Sequence, residues 1–150
     1  MRGQGIQPKF KYHKEMSSTY KIDRVMIQEY QVIKDVVMNY VNGCAQGDVE
    51  LTKKAFHSGA VMYGYLNGSL FAGSIDALYG AIAQFGADEN TKAEVDIMEV
   101  TGTAATVRVV LENWHGLSFT DFHSLLKIDG KWVIVAKVFL NKKRIMDSLS

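Results

Sequence analysis

The sequence has little cysteine or proline and no long apolar run, and each of these facts argues against a class of protein or segment. Its 150 residues contain one cysteine, Cys44, so no disulfide and no cysteine-based metal cluster can form within one chain. A single proline argues against a long proline-rich linker. No apolar run reaches the roughly 18 residues of a membrane helix, and residues 1–24 lack the apolar segment of a signal peptide. We therefore expect one domain in the cytoplasm, with no membrane partner.

The charge is small overall but unevenly distributed. The net charge is +1, with +4 in residues 1–24, −6 in residues 25–136 and +3 in residues 137–150. Nucleic-acid binding needs a concentrated basic face, and an acidic body with basic ends does not supply one. We expect no nucleic-acid partner, and we interpret the basic ends as solvated segments.

Familiar catalytic and metal-binding motifs are also missing. There is no phosphate-binding glycine loop, no His-Glu-x-x-His spacing and no Gly-x-Ser-x-Gly turn. The histidines His13, His57, His115 and His123 are scattered along the chain. The sequence predicts neither a metal site nor a cofactor.

The apolar spacing predicts helices first and strands last. A stripe with steps of three and four residues indicates a helix from about Ile22 to Ala45: Met26, Tyr30, Ile33, Val37, Tyr40, Val41 and Cys44. A short helix capped by Asp48 follows, then a hairpin turning at Asn67-Gly68, then a helix opened by Ser74. Four consecutive antiparallel strands complete an α+β plan, with the helices on one side of the sheet. We predict an arm at residues 1–24, one domain at residues 25–140 and a tail at residues 141–150.

The last hairpin carries the most informative residues. Two strand-like runs meet at Asp129-Gly130, a strong signal for a two-residue turn. Such a turn places Ile128 opposite Lys131. One face then holds Phe119, Asp121, His123 and Leu125 with Trp132, Ile134, Ala136 and Val138. A shift of one residue in the pairing would reverse this assignment.

Asp121 and His123 therefore project from a face otherwise built of large apolar side chains. They could line a ligand pocket together with Trp132, and act as acid–base groups there. They could equally satisfy each other by hydrogen bonding inside a wall. The residues alone leave both possibilities open, so Asp121 and His123 are candidate catalytic residues only.

The opposite face of the hairpin is too apolar to remain in water. It contains Phe122, Val133, Val135, Lys137 and Phe139. An exposed apolar surface of this kind is typical of a subunit contact. We therefore expect a homodimer that forms through this outer face of the sheet.

Three stretches resemble one protein family. They are Tyr40-Val41-Asn42-Gly43 with Gly47-Asp48, Phe56-His57-Ser58-Gly59-Ala60, and Phe119-Thr-Asp-Phe-His123 with Gly130-Lys131-Trp132 and Lys137-Val-Phe139. Together they are similar to the "putative lumazine-binding" family of the nuclear transport factor 2-like, or SnoaL-like, superfamily. The resemblance covers about residues 25–140. Ser58-Gly59 stands where that family usually has Pro-Asp, so the loop after the second helix is expected to differ.

The resemblance implies a cone-shaped, cystatin-like α+β fold with three N-terminal helices on a curved antiparallel sheet. It also implies a pocket between the helices and the concave face, and a dimer through the outer face. In this fold the small hairpin usually rims the cavity, so Tyr63 and Tyr65 become candidate ligand contacts beside Tyr40, Asp121, His123 and Trp132. For Tyr40, core packing is an equal alternative. His57 is expected at a helix end or in a loop.

Three functions remain open at this stage. The leading hypothesis is a domain that binds a small hydrophobic or aromatic ligand. The alternatives are an isomerase or dehydratase that uses acid–base chemistry in the same pocket, and a structural or protein-interaction dimer domain.

Overall fold

The computed structural model describes residues 19–142; the remainder of the predicted arm and tail lies outside the described residues. Its helices are α1 (Thr19–Gln46), α2 (Val49–Lys53) and α3 (Asp76–Phe85). Its strands are β1 (Phe56–Leu66), β2 (Ser69–Ser74), β3 (Lys92–Thr101), β4 (Ala104–Trp114), β5 (Leu117–Ile128) and β6 (Lys131–Lys142). The order of helices and strands is the predicted one, although α1 begins earlier than expected, within the predicted arm.

Residue contacts divide the chain into two units. The smaller unit, residues 1–31, is described only from Thr19, as the first part of α1. The larger unit, residues 32–150, contains the second part of α1, the other helices and the whole sheet. All of the sites below lie in this larger unit.

The six strands form one sheet in the order β2-β1-β6-β5-β4-β3. The four last strands pair in sequence and antiparallel, as predicted. The first hairpin joins them by a parallel pairing of β1 with β6, which the sequence pattern did not indicate. This pairing brings the two hairpins into one continuous surface.

The predicted tight turns are confirmed by the backbone angles. Asn67 and Gly68 have φ values of 50° and 81°, and Asp129 and Gly130 have 51° and 78°. Two successive positive φ values define the turn type that suits the twist of a two-residue hairpin. Leu66 accordingly faces Ser69, and Ile128 faces Lys131.

The cap of α2 and the buried face of α1 are as predicted, whereas the N-cap of α3 is Ile75 and not the predicted Ser74. The Asp48 carboxylate accepts a hydrogen bond from the Leu51 N–H and caps α2, and the Ser74 hydroxyl accepts one from the Asp76 N–H at the start of α3. The predicted stripe of α1 is buried at Ile33, Val37, Tyr40, Val41 and Cys44. Tyr30 is exposed, and the side chain of Met26 lies outside the described residues.

A β-bulge in β6 changes the predicted faces of the last hairpin. Leu125 pairs with Ile134 and Ser124 pairs with Ala136, so Val135 has no partner on β5. An extra residue on one strand reverses the direction of every side chain beyond it. The prediction that Lys137 and Phe139 lie on the outer face is therefore wrong, because both are buried on the face of Asp121 and His123. Val138, predicted to lie inside, is 51% exposed.

Among the described residues, none of the helices combines the length and apolar character that a membrane crossing requires.

Candidate functional site

Four polar side chains from three elements meet in the interior. The Tyr40 hydroxyl of α1 donates a hydrogen bond to Oδ2 of Asp121 at 2.5 Å. Nε2 of His123 lies 3.5 Å from the same oxygen. Nζ of Lys137 lies 3.7 Å from the other oxygen, Oδ1. We call these four residues the Asp121 cluster.

Local structure explains how the cluster forms. Asp121 and His123 are two residues apart on β5 and therefore share a face. Lys137 lies directly opposite His123 in the β5–β6 ladder, on the same face because of the bulge at Val135. Tyr40 belongs to the buried stripe of α1. The resulting cluster is almost completely removed from solvent, with Asp121 and His123 at 0% exposure and Lys137 at 4%.

Burial and charge set the ionisation of the Asp121 carboxyl. Burial by itself raises its pKa, because a charged form is disfavoured away from water. The positive charge of Lys137 and the hydrogen bonds from His123 and Tyr40 outweigh that effect and lower the pKa below its ordinary value. Asp121 is therefore an ionised carboxylate whose counter-ion is Lys137.

His123 is held as a neutral imidazole. Burial lowers its pKa and outweighs the opposing effect of the Asp121 carboxylate. A carboxylate can only accept a hydrogen bond, so the bond to Asp121 requires the proton on Nε2. Nδ1 is then an acceptor, and it is buried without a hydrogen-bond partner among the described residues.

A cavity of about 530 Å³ lies next to the cluster. Its wall is mostly apolar and aromatic, and it comes from α1, both hairpins, α3 and β4. The lining residues central to the site are Tyr40, Cys44, Phe71, Trp114, Phe119, Lys137 and Phe139. Tyr40 and Lys137 belong to both the cavity wall and the cluster, whereas Asp121 and His123 lie behind them.

The structure brings together only some of the residues singled out from sequence. Tyr40 lines the cavity, Asp121 contacts the lining residues Tyr40 and Lys137, and His123 contacts Asp121. Tyr63 and Tyr65 are not among the lining residues; they point away and are 48% and 58% exposed. Their hairpin does contribute to the wall, but through Met62, Leu66, Asn67 and Phe71. Trp132 is buried but does not line the cavity.

Sequence reasoning missed three important lining residues, which are Trp114, Lys137 and Phe139. The latter two were assigned to the wrong face because the bulge is not visible in the alternating pattern. Trp114 is turned inward by a second irregularity, where the pairing of β4 with β5 shifts between Leu111 and Trp114. Asn113, which has a φ of 61°, was the available signal, because Asn adopts positive φ more readily than most residues.

Among the described residues that line the cavity, Lys137 is the strong hydrogen-bond donor and none is a free base. The pKa of the Tyr40 hydroxyl is raised by burial and by Asp121, and burial raises the pKa of the Cys44 thiol to about 12. Lys137 is paired with Asp121. No group of three or more potential metal ligands occurs within the described part of the chain. The site is therefore suited to polarising an acceptor atom of a bound molecule.

The fold and the cavity define a protein of the nuclear transport factor 2-like superfamily. Solved structures agree with this assignment. A nuclear transport factor 2-like protein of unknown function from Shewanella baltica has a TM-score of 0.74 and 32% identity, covering 79% of this chain and 97% of its own. A second such protein, from Methylobacillus flagellatus, has a TM-score of 0.75 and 36% identity, covering 78% and 94%. The predicted fold class is confirmed.

Within this superfamily, residues 28–140 match the family described as putative lumazine-binding, and the chain belongs to that family. A curated relative named as an aldolase is also similar. It is the aldolase FrzH from a Cladobotryum species, 35% identical over 112 residues, which span 74% of this chain and 90% of the relative.

Proposed function

We propose that the protein binds a small, largely apolar or aromatic molecule in the cavity next to the Asp121 cluster. The observation that carries the proposal is the cavity itself. Its volume of about 530 Å³ lies within the range of small-molecule sites, which are mostly apolar with a few well-placed polar groups. Tyr40 and Lys137 provide those groups.

The aromatic wall favours a planar ligand. The ring of Phe119 lies 5.8 Å from that of Phe139 and 6.5 Å from that of Trp114, measured between centroids. Phe71 lies 6.2 Å from Phe139. Rings at such separations offer both faces and edges for contact with another aromatic system. A flat molecule lying against these rings in the cavity would make complementary ring contacts.

The test is to fill the cavity and measure binding of 2-acetylnaphthalene by titration calorimetry. Ala81 and Ala83 both lie on α3, but Ala81 lines the cavity whereas Ala83 is exposed and does not. We expect Ala81→Phe to abolish saturable binding and Ala83→Phe to preserve it. Equal binding by the two folded variants would place the ligand elsewhere and refute the proposal.

A second candidate is an enzyme that activates a carbonyl compound in the same cavity. The specific observation in its favour is the buried ammonium of Lys137, which could stabilise negative charge developing on a substrate oxygen. The 35% identity to an aldolase supports the same idea. Against it stands the lack of a free base among the described residues that line the cavity.

Enolisation distinguishes the enzyme from the binding protein. The measurement is deuterium exchange into the methyl group of 2-acetylnaphthalene in D₂O, followed by NMR. An enzyme should accelerate exchange and lose that effect in Lys137→Met, because the enolate oxygen would lose its stabilising charge. If exchange stays at the buffer rate while the ketone is bound, the protein is only a binder of this compound.

We also propose that the protein forms a homodimer through the outer face of the sheet. Phe122, Leu126, Val138 and Leu140 are exposed there on neighbouring strands β5 and β6. Light scattering should give about twice the 16.8 kDa of one chain. Val138→Glu should shift the mass toward the monomer, and Met98→Glu on the edge strand β3 should not. A wild-type monomer at micromolar concentration would refute the dimer.

The cytoplasm is the compartment that we propose for this protein. Its support is Cys44, a buried unpaired thiol, since a reducing compartment keeps thiols in this form. Fractionation of cells that produce the protein would test the assignment.

A further inference from the structure

We infer that the cavity selects an uncharged ligand with a carbonyl oxygen and rejects a carboxylate of the same shape. This inference rests on the proposed ligand binding and adds the chemical class of the ligand. The inference depends on the balance of charge between the cavity wall and the residues behind it, Asp121 and His123.

The cavity wall carries little net charge. Lys137 is the one ionised side chain among the described lining residues. Its positive charge is already matched by the Asp121 carboxylate, 3.7 Å away and fully buried. Tyr40 and His123, the other members of the cluster, are neutral. The wall and its supporting layer are therefore close to electrically neutral.

Lys137 is the hydrogen-bond donor available to a ligand at the cluster. The Tyr40 hydroxyl already donates to Asp121 at 2.5 Å, so its proton is committed. An ammonium has three N–H donors, and Asp121 faces Lys137 from one side only. The Phe139 ring, with its centroid 4.5 Å from Nζ, offers a favourable surface for the charge but no lone pair. A ligand oxygen would supply the missing acceptor.

A carbonyl and a carboxylate next to Lys137 differ in the charge that they bring. A carbonyl oxygen accepts from Lys137 and leaves the charge count unchanged. A carboxylate adds a second negative charge near Asp121, with only one cation for the two anions. Burying a net charge in an apolar site is costly, and two close carboxylates repel each other. Neutral acceptors should therefore bind best.

The experiment compares binding of matched probes by titration calorimetry: 2-acetylnaphthalene, 2-ethylnaphthalene and 2-naphthoate. The ketone should bind roughly tenfold to a hundredfold more tightly than the hydrocarbon, as expected for a hydrogen bond to a charged donor. Naphthoate should bind more weakly than the ketone. Lys137→Met should remove the advantage of the ketone over the hydrocarbon.

Asp121→Asn provides the sharper test because it removes the counter-ion and retains the shape of the side chain. The cavity then carries the unbalanced charge of Lys137, so naphthoate should overtake the ketone. The control is Asp96→Asn, which breaks an exposed pair of Asp96 with Arg108 at 3.4 Å and should leave the ranking unchanged. Circular dichroism would verify that each variant is folded.

The outcomes separate this inference from the proposed function. If the wild type binds naphthoate as tightly as the ketone, the inference is wrong although ligand binding stands. The same holds if folded Asp121→Asn keeps the wild-type ranking. If the hydrocarbon, ketone and carboxylate all fail to bind, the proposed function is refuted and the inference with it. The wild-type ranking decides the matter even if Asp121→Asn does not fold.

Discussion

Replacement of Lys137 by methionine should destabilise the protein much more than the same change at a surface lysine. Methionine has nearly the length and apolar character of the lysine stem, so the main loss is the charge. Asp121, fully buried, would keep its bonds to Tyr40 and His123 but lose its counter-ion. Breaking a buried ion pair by removing one partner costs about 3–5 kcal/mol, because the remaining charge is left uncompensated.

This cost is large compared with the stability of an ordinary domain, which is about 5–15 kcal/mol. Urea unfolding followed by circular dichroism gives the measurement. With a urea dependence of about 2 kcal/mol per molar, the midpoint should fall by about 2 M. The double variant Lys137→Met with Asp121→Asn should recover part of that loss, since neither charge then remains buried.

Lys53 provides the matched control. Its Nζ lies 3.5 Å from the Glu50 carboxylate, a distance similar to that of Lys137 from Asp121, but both side chains are exposed. Exposed pairs contribute at most about 1 kcal/mol, so Lys53→Met should have little effect. If Lys137→Met were as mild as Lys53→Met, the buried Asp121 carboxylate would not depend on Lys137 as its counter-ion, which would contradict this prediction.

Two further predictions concern pH and glycine. The folded pKa of His123 lies below its ordinary value of 6.5, so the unfolded chain binds a proton that the folded chain does not. Stability should therefore fall as the pH drops from about 7 to about 5, and His123→Leu should flatten this slope in urea titrations; an unchanged slope would contradict the assignment. A side chain at Gly64 would overlap the Phe139 carbonyl oxygen and ring, whereas one at Gly80 would meet open space on α3. Gly64→Ala should thus cost about 1–3 kcal/mol and Gly80→Ala should gain about 0.5–1 kcal/mol in thermal unfolding; equal effects would argue against the close approach of β1 to β6.

The features that were predictable from sequence depend on short-range rules. The turns at Asn67-Gly68 and Asp129-Gly130 follow from local backbone preferences. The stripe through Ile33, Val37 and Tyr40 follows from the helical period. Both kinds of signal involve residues within a few positions of one another. The fold class was predictable for this reason, together with the family resemblance.

The features that were missed depend on where strands lose their regular pairing. Alternation places every second residue on one face, and this rule correctly placed Asp121 and His123 on the same face of β5. It fails after Val135, which has no partner on β5, and between Leu111 and Trp114. A bulge is fixed by the packing of neighbouring strands, which a single sequence does not display. The parallel pairing of β1 with β6 was missed for the same reason.

The bulge at Val135 links the fold to the proposed function. If Val135 instead paired with Ser124 in a regular ladder, Lys137 would lie on the outer face, and the buried Asp121 would have no positive partner. Phe139 would also leave the aromatic wall and enlarge the exposed apolar surface. Deletion of Val135 should leave Lys137 inside, because Ala136 and Lys137 already pair with Ser124 and His123 and the deletion would only make the ladder regular. By accommodating Val135 as an extra residue, the bulge keeps Lys137 in the Asp121 cluster and Phe139 in the cavity wall.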